Sequence, residues 1–489
     1  MTNRRDFLKG ACAVGACMAG AKAALAESVG AAKLKIGVLS DIHLEGPASV
    51  EKLEKALVCY RDRRVDGVLI CGDLADHGIL PELKMLADTW RKVFPDDRLP
   101  DGSHVERLFH YGDHDTGGYA HTKGFFHSGD RLMKKYGVSY DELCSWAIRP
   151  QLAKAWETVF GEKYEPIFRK TVKGYDFVLA NLTFENSNGG NRTPGLEAFF
   201  ESYRPDPTKP FFHSQHRVYR RTAGGPATWG QDDGSTGRIL SRYPNCLAFC
   251  GHGHLSATDE KAIWQGAYSA IEVPSLRYVG FAGDHENKSV SALRQKAGIP
   301  AQMGSLSVYE SLQGLLMTVC EREIVIDRID FGATEPLGPA WRIPLDPTRR
   351  PYAPSERRRT EVAPQFPAGA VVKVAEKKGK NKDGSEKRQL EVTFPLAQPT
   401  GMTPRAFDYE VTAVALQTGG PATPVVHKVY SPRAFDAPSR DPGPGRCLFS
   451  FAEFPEKSRT FYVEVTPLAA YGRRGEPIGV EFDVRLGKE

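Results

Sequence analysis

Past its amino terminus the chain lacks any run of the ~18 or more unbroken apolar residues that a helical membrane span requires, so no membrane-crossing segment is read there. It also lacks an excess of one charge. Lys and Arg number 65 against 60 Asp and Glu, a formal +5, and the first 26 residues hold +3 of it through Arg4, Arg5, Lys9 and Lys22 against Asp6. The remainder is nearly neutral, which gives no electrostatic basis for binding nucleic acid or an anionic membrane. Cysteine is sparse and odd in number, nine in all and seven once Cys12 and Cys17 are set aside. No disulfide framework follows from that. Cys71 and Cys250, each inside an apolar run, read as small core hydrophobes. What is present is a globular composition, 41% hydrophobic and 26% charged, with a mean hydropathy of -0.39. The 489 residues leave room for two or three domains, at about 150 residues each.

The amino terminus reads as a targeting sequence. Asn3-Arg4-Arg5-Asp6-Phe7-Leu8-Lys9 resembles a bacterial twin-arginine export signal, with Asn3 where Ser or Thr is usual. A weakly apolar Ala/Gly/Cys run follows and ends on Ala24-Leu25-Ala26, the small-x-small pattern a signal peptidase accepts. The resemblance implies export of the folded chain to the periplasm or another extracytoplasmic space. Val14-Gly15-Ala16-Cys17 offers a lipoprotein site, and with it a lipid anchor, as the alternative.

Residues 34–40 and 67–71 are short apolar runs, each followed by an amphipathic stretch, at 49–61 and 80–94; Val50, Leu53, Leu57 and Tyr60 share one face of the first. Strand, helix, strand, helix predicts a largely parallel sheet with helices on its faces. A third strand at 105–111 precedes a helix-rich, aromatic insertion at 116–170, where core packing competes with a substrate lid. Residues 175–180 and 246–250 read as further strands, 193–203 as a helix, and 315–320 with 324–331 as a hairpin. Prolines recur from 332 to 367 around Arg357-Arg358-Arg359, a composition that predicts an extended connector. Beyond it, alternating runs at 407–416, 448–451 and 461–465 predict a small antiparallel sandwich. The charged run 377–388 reads as a solvated hairpin tip. The domains expected are therefore a signal at 1–26, a catalytic domain at 33–350, a Pro-rich linker at 351–367 and a β-sandwich at 368–489.

Residues able to do chemistry gather at the ends of the predicted strands: Asp41 and His43; Asp73; Asp113 and His114; His216; His252 and His254. The carboxyl ends of parallel strands form one crevice, where residues distant in sequence meet. In Cys250-Gly251-His252-Gly253-His254 the glycines turn the chain so that both imidazoles aim beyond the strand. Mixed carboxylate and imidazole donors without cysteine suit borderline divalent metals, Mn, Fe, Zn, Co or Ni. So many donors suit two ions that share a carboxylate. His213 and His216 compete for the imidazole of the fifth segment; His216 is favoured because it leaves five residues after Pro210 for a strand, where His213 leaves two. Asp76 and Asp115 read as supporting or turn residues.

D-x-H at 41–43, G-D-x-x-D at 72–76, G-D-H-D at 112–115 and G-H-G-H at 251–254, in this order, resemble the calcineurin-like metallophosphoesterases over about residues 34–344. The resemblance implies an α/β (α+β) fold of two packed mixed β-sheets flanked by helices. It implies a binuclear centre in which Asp41, His43 and His254 hold one ion, Asp113, His216 and His252 hold the other, and Asp73 bridges them. His114 is then the general acid or transition-state donor, and the reaction is hydrolysis of a phosphomono- or phosphodiester by a hydroxide between the ions. Loops at 116–170 and 278–305 are where substrate choice is expected. Asp113 stands where the family usually has Asn. Two divalent ions carry +4 and three ionised aspartates −3, so the centre keeps about +1 where an Asn leaves about +2. Two alternatives remain: a surface binding or adhesion protein, engaging glycan or protein through the sandwich around a structural metal, and a metal-dependent hydrolase of a non-phosphorus ester or amide. Phe461-Tyr462-Val463-Glu464-Val465 followed by Tyr471-Gly472 is similar to the late strands of a fibronectin type III domain, with Phe461 where those often carry Tyr.

Overall fold

The computed structural model describes residues 31–116, 123–183, 193–226, 228, 230–282, 305–308, 311–380, 384, 386–399, 405–416, 423–434, 439–456 and 458–484. The export signal read at 1–26 and most of the loop read at 278–305 lie outside them. Among the described residues no helix is long and apolar enough to cross a membrane.

Side chains alternate between the two faces of a strand, and the apolar runs of this chain are buried on both. In Gly67–Cys71, Val68 and Ile70 enter a core shared with the helices Pro47–Asp62 and Leu80–Val93, while Leu69 and Cys71 enter a second core. In Cys246–Cys250, Leu247 and Phe249 meet that second core, whereas Cys246, Ala248 and Cys250 face an outer one with Phe200 and Tyr219. Strands apolar on both sides demand cover on both sides. The chain supplies it by packing two sheets face to face, with helices outside each.

The first sheet runs in the order Glu335–Pro336, Glu323–Asp330, Gln313–Val319, Leu34–Leu39, Gly67–Cys71, Glu106–His110. Its last three strands are parallel, and Leu34–Leu39 is antiparallel to Gln313–Val319. In the second sheet Tyr175–Ala180, Phe211–Ser214, Cys246–Cys250 and Ser269–Glu272 are parallel neighbours, with antiparallel Ile167–Val172 and Ile263–Gln265 at the edges. Both sheets are mixed, rather than one largely parallel sheet, because the hairpins at their edges return antiparallel.

Three local expectations change. Residues 332–367 are not an extended connector: Trp341–Pro344 pairs with Glu323–Asp330, Pro354–Thr360 is helical, and Trp341 and Tyr352 are buried. Pro336 and Pro344 end strands and Pro354 opens the helix, positions where a missing N–H costs little. The charged run 377–388 is mostly strand, with Lys373–Lys380 antiparallel to Glu386–Phe394. Its described side chains are all exposed, as at a solvated hairpin tip, so composition alone read paired strand as loop. The strand after Pro210 ends at Ser214.

Past residue 370 the chain builds a three-stranded sheet, Lys373–Lys380, Glu386–Phe394, Gly445–Ser450, against a four-stranded one, Pro424–Tyr430, Asp408–Leu416, Thr460–Leu468, Ile478–Asp483. Leu390, Val392, Tyr409, Val411, Phe449, Phe461 and Val463 fill the space between them. This sandwich rests on the loop that follows His254. The Thr258 hydroxyl donates to the Ala434 carbonyl, and Glu260 is held between Arg328 at 2.7 Å and Arg357 at 2.6 Å. One buried carboxylate shared by two guanidiniums ties this loop to both the strand Glu323–Asp330 and the helix Pro354–Thr360.

Tyr60 lies across Leu34–Leu39 at Gly37. Its hydroxyl is 2.9 Å from the Val38 carbonyl and 2.8 Å from that of Leu315, and a Cβ at Gly37 would stand 2.4 Å from its ring. Gly37→Ala is therefore expected to destabilise the chain by about 1–3 kcal/mol through overpacking. The check is a lower urea midpoint at unchanged slope.

Candidate metal centre

Asp41 and His43 follow the strand Leu34–Leu39, Asp73 follows Gly67–Cys71, and Asp113 follows Glu106–His110. His216 follows Phe211–Ser214, and His252 and His254 follow Cys246–Cys250. All are strand carboxyl ends, and the two sheets present them at a common rim. The backbone there is left-handed at Asp41 (φ 49°), His43 (48°), Asp73 (53°), His252 (72°) and His254 (56°). Such conformations cost on the order of 1–3 kcal/mol each and persist where the surroundings fix a side chain for a purpose. Gly72 (φ +85°) has no such cost, and a Cβ on it would lie 2.6 Å from the His216 ring.

Two groups of donor atoms result. In one, Asp41, His43 and His254 offer atoms within 4.8 Å of one another; in the other, Asp73, Asp113, His216 and His252 do. Asp73 faces both, with Oδ2 3.6 Å from His43 Nε2 and Oδ1 3.2 Å from His216 Nε2. His254 Nε2 is 3.0 Å from Asp41 Oδ1. Asp113 Oδ1 is 2.9 Å from both His216 Nε2 and His252 Nδ1.

The outward-facing ring nitrogens set the tautomers. His254 Nδ1 lies 3.1 Å from the Tyr278 carbonyl, His216 Nδ1 2.7 Å from the Cys71 carbonyl, and His43 Nδ1 3.1 Å from Asp76 Oδ1. A carbonyl or carboxylate only accepts, so each Nδ1 carries a proton, and a ring turns a lone pair inward only when it is neutral. The Nε2 atoms of His43 and His254 then oppose lone pairs at 3.3 Å. His216 Nε2 and Asp113 Oδ1, both buried, make no hydrogen bond. Electron-rich atoms so placed fit divalent cations between them, and the oriented imidazoles match the support that metal-binding histidines receive.

The protein without ions relieves this crowding with protons. Burial disfavours charge on His216, yet the carboxylates of Asp73, Asp113 and Asp41 raise its pKa well above the usual imidazole value. Burial would lift Asp41, but the imidazoles of His254, His216 and His43 outweigh it and hold the carboxyl well below the usual range. His114, against the same penalty of burial, is carried up to about 9 by Asp73, Asp113 and Asp76. Its Nδ1 donates to the Asp76 carbonyl at 2.7 Å, and its ring stands edge-on to His43 at 4.4 Å.

The rim gathers all eight residues singled out from the sequence. His213 is not among them; it lies inside a strand, with Nδ1 2.7 Å from the Tyr219 hydroxyl. Asp76 supports His43, and Asp115 accepts from the backbone N–H of Leu74, Ala75 and Gly112, tying two of the loops together. Arg217 was missed: its guanidinium stands 2.7 Å from His252 Nε2 and 3.8 Å from Asp113 Oδ2. Its position directly after His216 was the available signal. Tyr278, whose ring packs 4.2 Å from His254, had none.

Residues 34–256 match the family described as Calcineurin-like phosphoesterase. No curated protein matches the chain. Among solved structures, the chain is similar to a dimetal phosphatase from Danio rerio, at 11% identity and TM-score 0.36 over 65% of this chain and 100% of that one. It is also similar to a purple acid phosphatase from yellow lupin seeds, at 12% identity and TM-score 0.38 over 64% and 53%. A third is GAP50, the anchor in the inner membrane complex of Plasmodium, at 11% and 0.33 over 64% and 88%. These scores are too low to bear on activity, which rests on the rim and the family match. Residues 34–256 of this chain are a calcineurin-like phosphoesterase domain, that of a metal-dependent phosphoesterase.

Proposed function

We propose that this chain is an exported hydrolase of phosphomono- or phosphodiesters working with two divalent cations. The observation that carries the reading is the pair of inward lone pairs of His43 and His254, 3.3 Å apart, beside the unbonded Nε2 of His216 and Oδ1 of Asp113. Asp41, His43 and His254 would hold one cation, Asp113, His216 and His252 the other, and Asp73 both. Bound there, two such cations supply Lewis acidity and make a shared water acidic enough to act as nucleophile. Mn, Fe, Zn, Co and Ni all suit the donor set.

The chain's own part is geometric and protonic. Asp76, Tyr278 and Cys71 fix three imidazoles through their Nδ1 atoms. His114, with Nδ1 already donating to a carbonyl, presents Nε2 as the proton donor to a departing alkoxide. The cleft opens on this side. Asp113, His114 and Asp76 keep 22%, 22% and 21% of their side-chain surface, while Asp41 and His216 keep none. A structural site would be closed all round, so the openness supports catalysis over a scaffold role.

Export rests on the twin-arginine resemblance of residues 3–9. The domain boundaries we propose are 33–350 for the catalytic unit and 368–489 for the sandwich, with 351–367 between them. The pairing of three strands against four supports a fibronectin type III-like reading of the latter.

Three outcomes test the site. In the metal-free protein His216 holds a proton near neutral pH, and its Nε2 must lose that proton to ligate, so cation binding releases protons and tightens as pH rises. Titration calorimetry with Zn in buffers of different ionisation enthalpy should show net release at pH 7; none would contradict it. Replacing His114 by Gln is expected to lower kcat by roughly 10²–10⁴ for alkyl phosphates, and much less for p-nitrophenyl phosphate, whose leaving group needs no proton. Asp113→Asn should keep the metals and lower KM for an anionic ester, because the centre gains one positive charge. Equal losses for both leaving groups, or metal loss in Asp113→Asn, would count against these roles.

A further inference from the structure

The orientation of the fourth imidazole breaks the pattern of the other three. His43, His216 and His254 are backed by acceptors, whereas His252 Nε2 is met at 2.7 Å by Arg217 Nη1, a donor. In the protein without ions this is consistent, since the His252 Nε2 lone pair accepts from the guanidinium while Nδ1, 2.9 Å from Asp113 Oδ1, carries the proton. It cannot persist once Nδ1 gives its lone pair to a cation. A neutral imidazole then carries its proton on Nε2, and a guanidinium, with five N–H donors and no acceptor, meets a donor. Loading the site therefore strips Arg217 of the acceptor it holds.

The same side chain is already short of acceptors. Arg217 Nε is buried and makes no hydrogen bond, and Nη2 is 3.8 Å from Asp113 Oδ2, beyond hydrogen-bond length. Only 15% of the side chain is exposed. A planar fork of donors, mostly desolvated and aimed at the edge of a cation site, is built for an oxyanion. Its charge also answers the exchange of Asn for Asp at 113. With Arg217 counted, the net charge of the loaded centre returns from about +1 to about +2, so an anionic substrate meets the field an Asn centre offers.

Resting on the two-cation reading, we propose that Arg217 binds the third non-ester oxygen of a terminal phosphate, making the site selective for phosphomonoesters over phosphodiesters. A monoester has three non-ester oxygens and a charge of about −1.5 to −2 near neutral pH; a diester has two oxygens and a single charge. Two cations occupy two oxygens in either case. Only the monoester leaves a third for the fork, and only it fully uses the restored charge.

The test uses the full-length protein loaded with Mn, with metal content measured by atomic absorption and anion binding by calorimetry. Inorganic phosphate stands for the terminal phosphate and dimethyl phosphate for the diester. For Arg217→Ala, two Mn per chain should remain, the phosphate affinity should fall ~10-fold to 100-fold as for loss of a charged hydrogen bond, and dimethyl phosphate should change by less than about threefold. Arg217→Lys, which keeps the charge but not the fork, should fall between wild type and Arg217→Ala. Unchanged phosphate affinity, or equal losses for both anions, overturns the proposal while leaving the two-cation reading intact. Loss of the metals in both variants makes Arg217 a support for the ligands and overturns it as well. A wild-type protein that takes up fewer than two Mn overturns the two-cation reading and this inference with it.

Discussion

Imidazole lone pairs and carboxylate oxygens crowd one rim more closely than their mutual repulsion allows. His43 and His254 oppose nitrogens at 3.3 Å, and His216 stands 3.2 Å from one aspartate oxygen and 2.9 Å from another. Positive charge must enter that space. Protons supply it in the protein without ions, which is why His216 and His114 hold theirs so tightly. Divalent cations supply it better, because one ion satisfies several donors at once and two can share Asp73. The rest of the molecule serves to keep these atoms from drifting apart.

It does so through backbone more than through side chains. Both sheets present parallel strand ends to the same rim, and the turns after Leu34–Leu39, Gly67–Cys71 and Cys246–Cys250 are held in a conformation that few residues adopt willingly. Hydrogen bonds cross between turns: His252 N–H donates to Asp41 at 3.0 Å, His114 N–H donates to Asp73 at 2.9 Å, and Asp115 ties its own loop to that of Asp73. Ser40 and Ser275 bridge the two sheets' ends. The sandwich adds a second anchor on the loop beyond His254, where Ala434 accepts from the Thr258 hydroxyl and Arg405 lies 3.4 Å from it, beside the Glu260 that Arg328 and Arg357 hold.

The sequence made the framework readable because buried strands leave continuous apolar runs and the ligands sit directly after them. Gly67–Cys71, Tyr175–Ala180 and Cys246–Cys250 are bounded as the runs predicted. Strand length separates His213 from His216 only loosely: the strand is four residues, and His216 reaches the rim from the turn past it. Elements whose stability comes from a paired neighbour rather than from their own composition were not readable. Trp341–Pro344 is a strand only because Glu323–Asp330 lies beside it, and the charged Lys373–Lys380 only because Glu386–Phe394 does. Arg217 eluded the motif reading for a related reason: its role depends on Asp113 and His252, which approach it only in three dimensions.

The central claim is that this rim separates its donors with two cations rather than one. Crystals grown with Mn and measured across its absorption edge give the number and spacing of the ions directly. Two anomalous peaks roughly 3.5–4 Å apart, one on each side of the Asp73 carboxylate, are what the crowding of these atoms requires. A single peak, or peaks placed away from Asp73, would contradict it.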